Sequence, residues 1–414
     1  MAQQASRPEM SLPLKLLVVG VLYFAEGVPF GFVFTTLSYY LRTKGVALEQ
    51  IGILSLLGLA WSLKVLWSPL ADRFGSRAAW LVPSQVVVIL SLLGLAYLAD
   101  APVSLTFWGL VGLLCLGSAT QDLAVDAYTI DLLDTKELGM ANGIRIGAYR
   151  VGLIASGGGV LMASDFLGWS PTFVGVGIIM AALVVTVLVF GPFHLPRPVS
   201  LDETPRKGGL NQIRESLKGL TAHPHFWAII VFILSYKAGD AMLGTMVSPF
   251  WRDQGFSGAQ FGLASITMGK LPAILGGFLG GLLTARWGIS RALWLLGVFQ
   301  ALSILGYWLA ALPDAWRYTI YAATLGESLA GQMGSAAFMA FLMSLCDKRF
   351  SASHYAFLSM LFGLSGRLCG YVGGWLAAYL GYATFFFISF LAAWPAFALL
   401  PWVLPVVRRI EGRE

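Results

Sequence analysis

Apolar residues run along this chain in long blocks separated by short polar connections. Blocks long enough to cross about 30 Å of hydrocarbon, at roughly 20 residues each, predict twelve helices. They fall near 13–40, 49–70, 78–99, 103–131, 138–164, 169–191, 225–250, 258–285, 290–311, 316–345, 351–379 and 381–407. The one long polar connection, His194 to His225, carries Pro196, Pro198, Pro205, Gly208 and Gly209 and divides the spans into six plus six. Within it, Leu210 to Leu220 has an amphipathic rhythm that suits a helix lying on the membrane surface. The expected fold class is all-α and polytopic: a six-helix bundle over 1–193, a cytoplasmic linker over 194–224, and a second six-helix bundle over 225–414.

Composition agrees, because 57% hydrophobic and 12% charged residues lie outside the range of a soluble globular domain. The net charge of +6 does not point to nucleic acid, since the basic residues sit in short loops and form no stripe with interleaved aromatics. Orientation explains them better. Seventeen Lys and Arg collect on the side of both termini and the central connection, against Arg42, Lys44, Arg252 and Arg317 on the other, which places both termini in the cytoplasm. Cys115, Cys346 and Cys369 fall in apolar spans without paired spacing and suit small buried hydrophobes. The first apolar run is too long for a leader core and is interrupted by Glu26, so it is expected to be retained as the first span.

An internal repeat appears at a shift of 210 residues: Arg42, Gly45, Gln50 and Gly52 match Arg252, Gly255, Gln260 and Gly262. At a shift of 213, Leu167-Gly168-Trp169 matches Leu380-Gly381-Tyr382, and Asp134-Thr135-Lys136 matches Asp347-Lys348-Arg349. Two parallel six-span repeats joined by a long cytoplasmic loop resemble the major facilitator fold, whose substrate site lies near mid-membrane. The loop Asp72-Arg73-Phe74-Gly75-Ser76-Arg77 resembles that superfamily's cytoplasmic motif. The resemblance implies a gate latch, in which Asp72 meets a helix N-terminus; the alternative is that Arg73 and Arg77 only enforce topology.

Ionisable residues inside the spans are the candidate chemistry, because each costs roughly 2.5–3.5 kcal/mol at mid-bilayer and normally faces a partner or a wet path. Glu26, with Tyr23 one turn earlier, sits beside Gly27, Pro29 and Gly31, a composition that loosens the helix. It reads equally as a proton carrier, since desolvation disfavours a carboxylate's charged form, and as a structural hydrogen-bonding group. Lys64 with Trp61 offers a cation and an aromatic wall to substrate, or snorkels to the interface. Gln121, Asp122 and Asp126 lie in span four, the two acids on one helix face. Arg145 and Arg150 of span five are their natural counterions, with Tyr149 as an aromatic wall. Asp126 is expected to brace spans four and five, and Asp122 to carry or gate a proton. In the second half Tyr236, Lys237 and Asp240 lie on span seven, Lys270 on span eight, Glu327 on span ten and Arg367 on span eleven. The four histidines cluster in the linker or at a span end, so no membrane-embedded metal site is expected and no cofactor other than a coupling proton. No nucleophile elbow, phosphate loop or other catalytic signature marks the chain as an enzyme.

Within the superfamily the sequence resembles the AmpG-like permeases. The likeness rests on Leu63 to Arg73, Gln121 to Tyr128, Gly147 to Gly152, Tyr236 to Ala241 and Leu342 to Ala352, in collinear order. It implies functional residues at Asp122, Asp126, Tyr149, Arg150, Lys237 and Asp240. That family holds permeases for cell-wall muropeptides and, in a shorter branch, for ferric siderophores of the RhtX and FptX type. The compact length suggests the siderophore branch: a monomer in a bacterial inner membrane importing a small chelate such as pyochelin, with iron crossing only inside it. Proton-driven import of anhydromuropeptides is the alternative.

Overall fold

The computed structural model describes residues 10–68, 70, 77–133, 137–190, 225–346 and 351–410. Among them nine helices are long and apolar enough to cross a membrane. The last of these, Phe357–Arg409, is broken at Gly381, whose backbone is left-handed at φ 74°. Shorter or more polar helices, Leu48–Leu63 and Thr319–Ser344, fall where spans two and ten are expected. The helices' exteriors are strongly apolar: Leu90, Phe166, Trp227, Phe278 and Tyr379 are all exposed. In water this surface would be an aggregation liability; against lipid tails it is the required complement.

The duplicated pattern is written into the backbone. Gly45 and Gly255, the repeat-related glycines after spans one and seven, both turn at left-handed φ, 74° and 76°. Gly168 and Gly381, which follow spans five and eleven, do the same at 80° and 74°. Only glycine takes this conformation without steric cost, which is why the repeat keeps it at these corners.

Contacts divide the described chain into two compact units. One comprises residues 10–36 and 63–190, the other 37–62 and 225–410. Residues 37–62, the ends of spans one and two, thus pack with the second half of the sequence. The linker at 194–224 lies outside the described residues. The first unit has an apolar core of Val18, Leu22, Val125 and Tyr128, the second a larger one of Phe232, Leu293, Phe338, Phe341 and Val403.

Close backbone approach replaces side-chain interdigitation at several crossings. In the first unit a methyl at Gly27 would strike the Tyr149 carbonyl, and one at Gly152 the Phe24 carbonyl, so spans one and five touch main chain to main chain. In the second unit Gly276 and Gly280 lie against the Leu329 and Met333 backbone of span ten. Gly52 and Gly374 meet in the same way, a methyl at Gly374 lying 2.9 Å from the Gly52 Cα. Small residues permit this in membranes, where apolar transfer between lipid and protein drives little.

Segment 37–62 is also tied by polar contacts. The Arg42 Nε donates to both Asp253 oxygens at 2.7 and 2.8 Å, and Tyr382 donates to Asp253 at 2.8 Å. Tyr39 donates to the Phe256 carbonyl at 2.7 Å, and the Ser55 and Thr245 hydroxyls lie 3.0 Å apart.

The glycine pairs of span eight give a direct test. Gly276→Ala and Gly280→Ala should each lower the melting temperature in detergent, by about 1–3 kcal/mol of overpacking. Gly277→Ala and Gly281→Ala, whose new methyls meet nothing within 4 Å, should be neutral or stabilising by up to about 1 kcal/mol through helix propensity. Equal effects at neighbouring positions would refute the backbone contact.

Candidate functional site

The first unit gathers its buried charges around span four. The helix Leu105–Leu132 presents Asp122 and Asp126 one turn apart, and Leu138–Ile154 brings Arg145 against them. Span two is interrupted at Gly58, and the tight turn Lys64–Leu66 carries Lys64 to the same acids. Its Nζ lies 3.5 Å from Asp122 Oδ2 and 3.9 Å from Asp126 Oδ2, so one cation is shared by two carboxylates. Arg145 Nη2 donates to Asp126 Oδ1 at 3.0 Å, and the Tyr23 hydroxyl donates to the same oxygen at 2.6 Å. The Arg145 guanidinium also stacks over the Tyr23 ring at 4.5 Å.

Glu26 completes this cluster. It precedes Pro29 on span one, whose helix passes into wider π turns over Phe32–Leu37, as expected where Gly27, Pro29 and Gly31 weaken the α pattern. Glu26 lies within electrostatic reach of Asp122, Asp126, Lys64 and Arg145. Three carboxyl groups therefore face two cations. Glu26 Oε2 and Asp122 Oδ1 are buried with no hydrogen-bond partner, as are both polar ends of Gln121. The Asp122 side chain is 9% exposed, whereas the Asp126 side chain is 42% exposed. This separates a sequestered acid with an unsatisfied oxygen from a partly solvated one held by two donors and by the Lys64 ammonium at 3.9 Å.

The second unit has its own cluster. Span seven breaks between Phe226–Ser235 and Ala238–Asp253, and Lys237 sits at the break. Asp240 occupies the first turn of the new helix, where the helix dipole favours an acid. Lys237 is ion-paired with Asp240 and donates to Gln300 Oε1 at 2.9 Å and the Gly331 carbonyl at 3.1 Å. A methyl at Gly331 would lie 3.1 Å from Glu327 Oε1 and 3.5 Å from Asp240 Oδ2, so two carboxylates converge on this glycine. Lys270, which ends the π turns Ser265–Lys270 of span eight, is within electrostatic reach of Glu327. Asp240 Oδ1 is buried without a partner.

Arg150 is exposed on span five, and it is Arg145 that holds Asp126. Tyr149 is half-buried against the first core, and Trp61 is half-buried on span two. Tyr236 belongs to the second core: its ring stacks on Phe338 at 5.0 Å and its hydroxyl donates to the Leu293 carbonyl at 3.0 Å. The Arg367 guanidinium lies against Gly58. Asp72, Arg73 and Gly75 of the gate motif lie outside the described residues, and Arg77 opens the helix Arg77–Tyr97. Sequence reasoning passed over Gln300 and the pairing of Lys64 with the span-four acids. A lone glutamine in an otherwise apolar span was the available signal for the first.

The sequence profile of the Major Facilitator Superfamily matches residues 19–353. An anhydromuropeptide permease of Escherichia coli (strain K12) is 34% identical over 92% of this chain and 78% of its own length. A putative transporter AmpG 4 of Rickettsia conorii is 29% identical, covering 93% and 95%. Among solved structures, a bacterial homologue of the human lysosomal transporter Spinster superposes with a TM-score of 0.72 at 18% identity, covering 98% of this chain and 99% of that one. A D-xylose-proton symporter gives 0.67 at 15% identity, covering 94% and 97%. These structural likenesses concern the fold alone.

The expectation of a ferric siderophore permease is corrected by the Escherichia coli relative, with iron transport falling alongside it. That expectation rested on chain length, and length says nothing about the side chains that meet a solute. The profile match and the relationship over nine-tenths of the sequence place this chain in the major facilitator superfamily, to whose AmpG-like permeases it belongs.

Proposed function

We propose that this protein is a proton-driven importer of anhydromuropeptides, working by alternating access in a bacterial inner membrane with both termini cytoplasmic. The observation that carries the substrate is the 34% identity with the anhydromuropeptide permease over 92% of the chain. The charge bias of the loops supports the orientation.

The driving ion follows from the first-unit cluster. A muropeptide is a sugar joined to a peptide, polar and anionic, and a solute of this kind needs a cation inside the membrane. Lys64 supplies one, already held loosely by Asp122 and Asp126 at 3.5 and 3.9 Å. A substrate carboxylate competes with Asp122 for that ammonium. Leaving Asp122 charged, buried and unpaired is costly, so a proton on Asp122 accompanies substrate binding. Asp126 keeps Arg145 and Tyr23 as partners throughout and acts as the fixed post. Glu26, whose Oε2 has no partner, is the adjacent acid able to pass the proton on. In the second unit, Lys237 and Gln300 offer donors of the kind that suit a peptide, with Asp240 and Glu327 as their counter-charges.

Right-side-out vesicles containing the protein should accumulate a labelled anhydromuramyl peptide when the outside is made acidic, and a protonophore should abolish the accumulation. Gradient-driven uptake of a ferric siderophore with none of the muropeptide would overturn the substrate. Asp122→Asn should lose accumulation against a gradient and flatten the dependence on external pH, yet retain exchange of internal for external substrate. An Asn variant with normal, pH-dependent accumulation would remove Asp122 from the proton path. Asp126→Ala should instead act on stability, lowering the melting temperature by on the order of 1 kcal/mol, since the half-exposed carboxylate is partly screened.

A further inference from the structure

A cavity of about 950 Å³ opens in the second unit, lined by none of the charges used above. Arg286, Arg291 and Arg408 line it together with Trp287, Trp294 and Ser290. Arg286 closes the helix Leu271–Trp287, Arg291 lies in the first turn of Ile289–Ala310, and Arg408 is near the end of span twelve. The left-handed turn at Gly288, φ 84°, folds the first two helices back on one another and brings their arginines to a single opening. Leu404 and Leu295 form the apolar part of the lining.

Charge is the anomaly here. No ion pair or hydrogen bond among the described residues engages Arg286, Arg291 or Arg408. Three guanidinium groups thus line one cavity with no carboxylate among the described residues of its lining to offset them. The first turn of Ile289–Ala310 holds no acid, so its N-terminal backbone adds positive potential at the same place. Trp294 and Leu295 are about half exposed, 48% and 49%, and continue the site onto an apolar surface of the kind that lipid tails cover. Tryptophan at such a boundary suits the headgroup level of a bilayer.

We propose that this cavity binds the phosphate headgroup of an anionic phospholipid, with the arginines on the phosphate and the acyl chains lying along Trp294 and Leu295. The charge bias of the loops puts the site on the cytoplasmic side. A cavity of about 950 Å³ is far larger than one inorganic phosphate needs, and its apolar margin gives a free phosphate nothing to bury, which favours the lipid. The guanidinium fork matches phosphate oxygens in pairs, so arginine rather than lysine at all three positions fits the same chemistry.

The test uses the purified full chain in neutral detergent, titrated separately with cardiolipin, phosphatidylglycerol, phosphatidylcholine and inorganic phosphate, with melting temperature and native mass spectrometry as readouts. Cardiolipin or phosphatidylglycerol should raise the melting temperature and leave bound lipid in the mass spectrum, while phosphatidylcholine and inorganic phosphate should do neither. The triple variant Arg286→Gln, Arg291→Gln, Arg408→Gln should bind the anionic lipids on the order of a hundredfold more weakly. Its melting temperature without lipid should match the parent, because the three side chains make no hydrogen bond or ion pair among the described residues. If the variant fails to fold, Arg291→Lys provides the second measurement, and it should weaken lipid binding while keeping the fold. An unchanged lipid response in either folded variant would overturn the proposal, as would an equal response to phosphatidylcholine or to inorganic phosphate.

Discussion

The structure turns on the cost of holding ionised side chains inside an apolar bundle. Each charge at this depth must find a countercharge or lose its proton, and the chain answers by grouping its charges into two tight sets. Around span four, Lys64 and Arg145 face Glu26, Asp122 and Asp126. Around span seven, Lys237 faces Asp240, with Glu327 and Lys270 close by. The second set can balance its signs internally. The first cannot, and the surplus carboxyl is the physical reason for assigning the proposed coupling proton to it.

Four of these charges, Glu26, Lys64, Lys237 and Lys270, stand at or beside departures from regular α geometry. Lys64 begins a tight turn after the interruption at Gly58, Lys237 occupies the break in span seven, and Lys270 ends a π segment. Glu26 precedes Pro29 and the π turns of span one. A local break lets a side chain move without unwinding a whole span. Glycine contacts such as Gly27 with Tyr149 and Gly276 with Leu329 act alongside them. They bring backbones together with few interlocked side chains, which suits helices that slide.

The correction of the substrate is instructive about which features carry specificity. Chain length pointed towards a smaller chelate, while a relative that aligns with most of the sequence is an anhydromuropeptide permease. Gln300 joined the second cluster only through its 2.9 Å contact with Lys237.

Much of the architecture was legible in the residues alone. Long apolar blocks can only be satisfied as helices in lipid, and loop arginines and lysines record orientation, so the all-helical membrane class and the duplication followed from local pattern. The repeat-related glycines at Gly45 and Gly255 have the same backbone conformation for the same steric reason. Partnerships were another matter, because they depend on how helices distant in sequence rotate against each other. Pattern put Asp122 and Asp126 on one face, yet it was packing that gave them Lys64, chose Arg145 over the exposed Arg150, and turned Tyr236 into the core. Packing also joined residues 37–62 to the second unit, through glycine contacts and the Arg42–Asp253 pair that no local periodicity encodes.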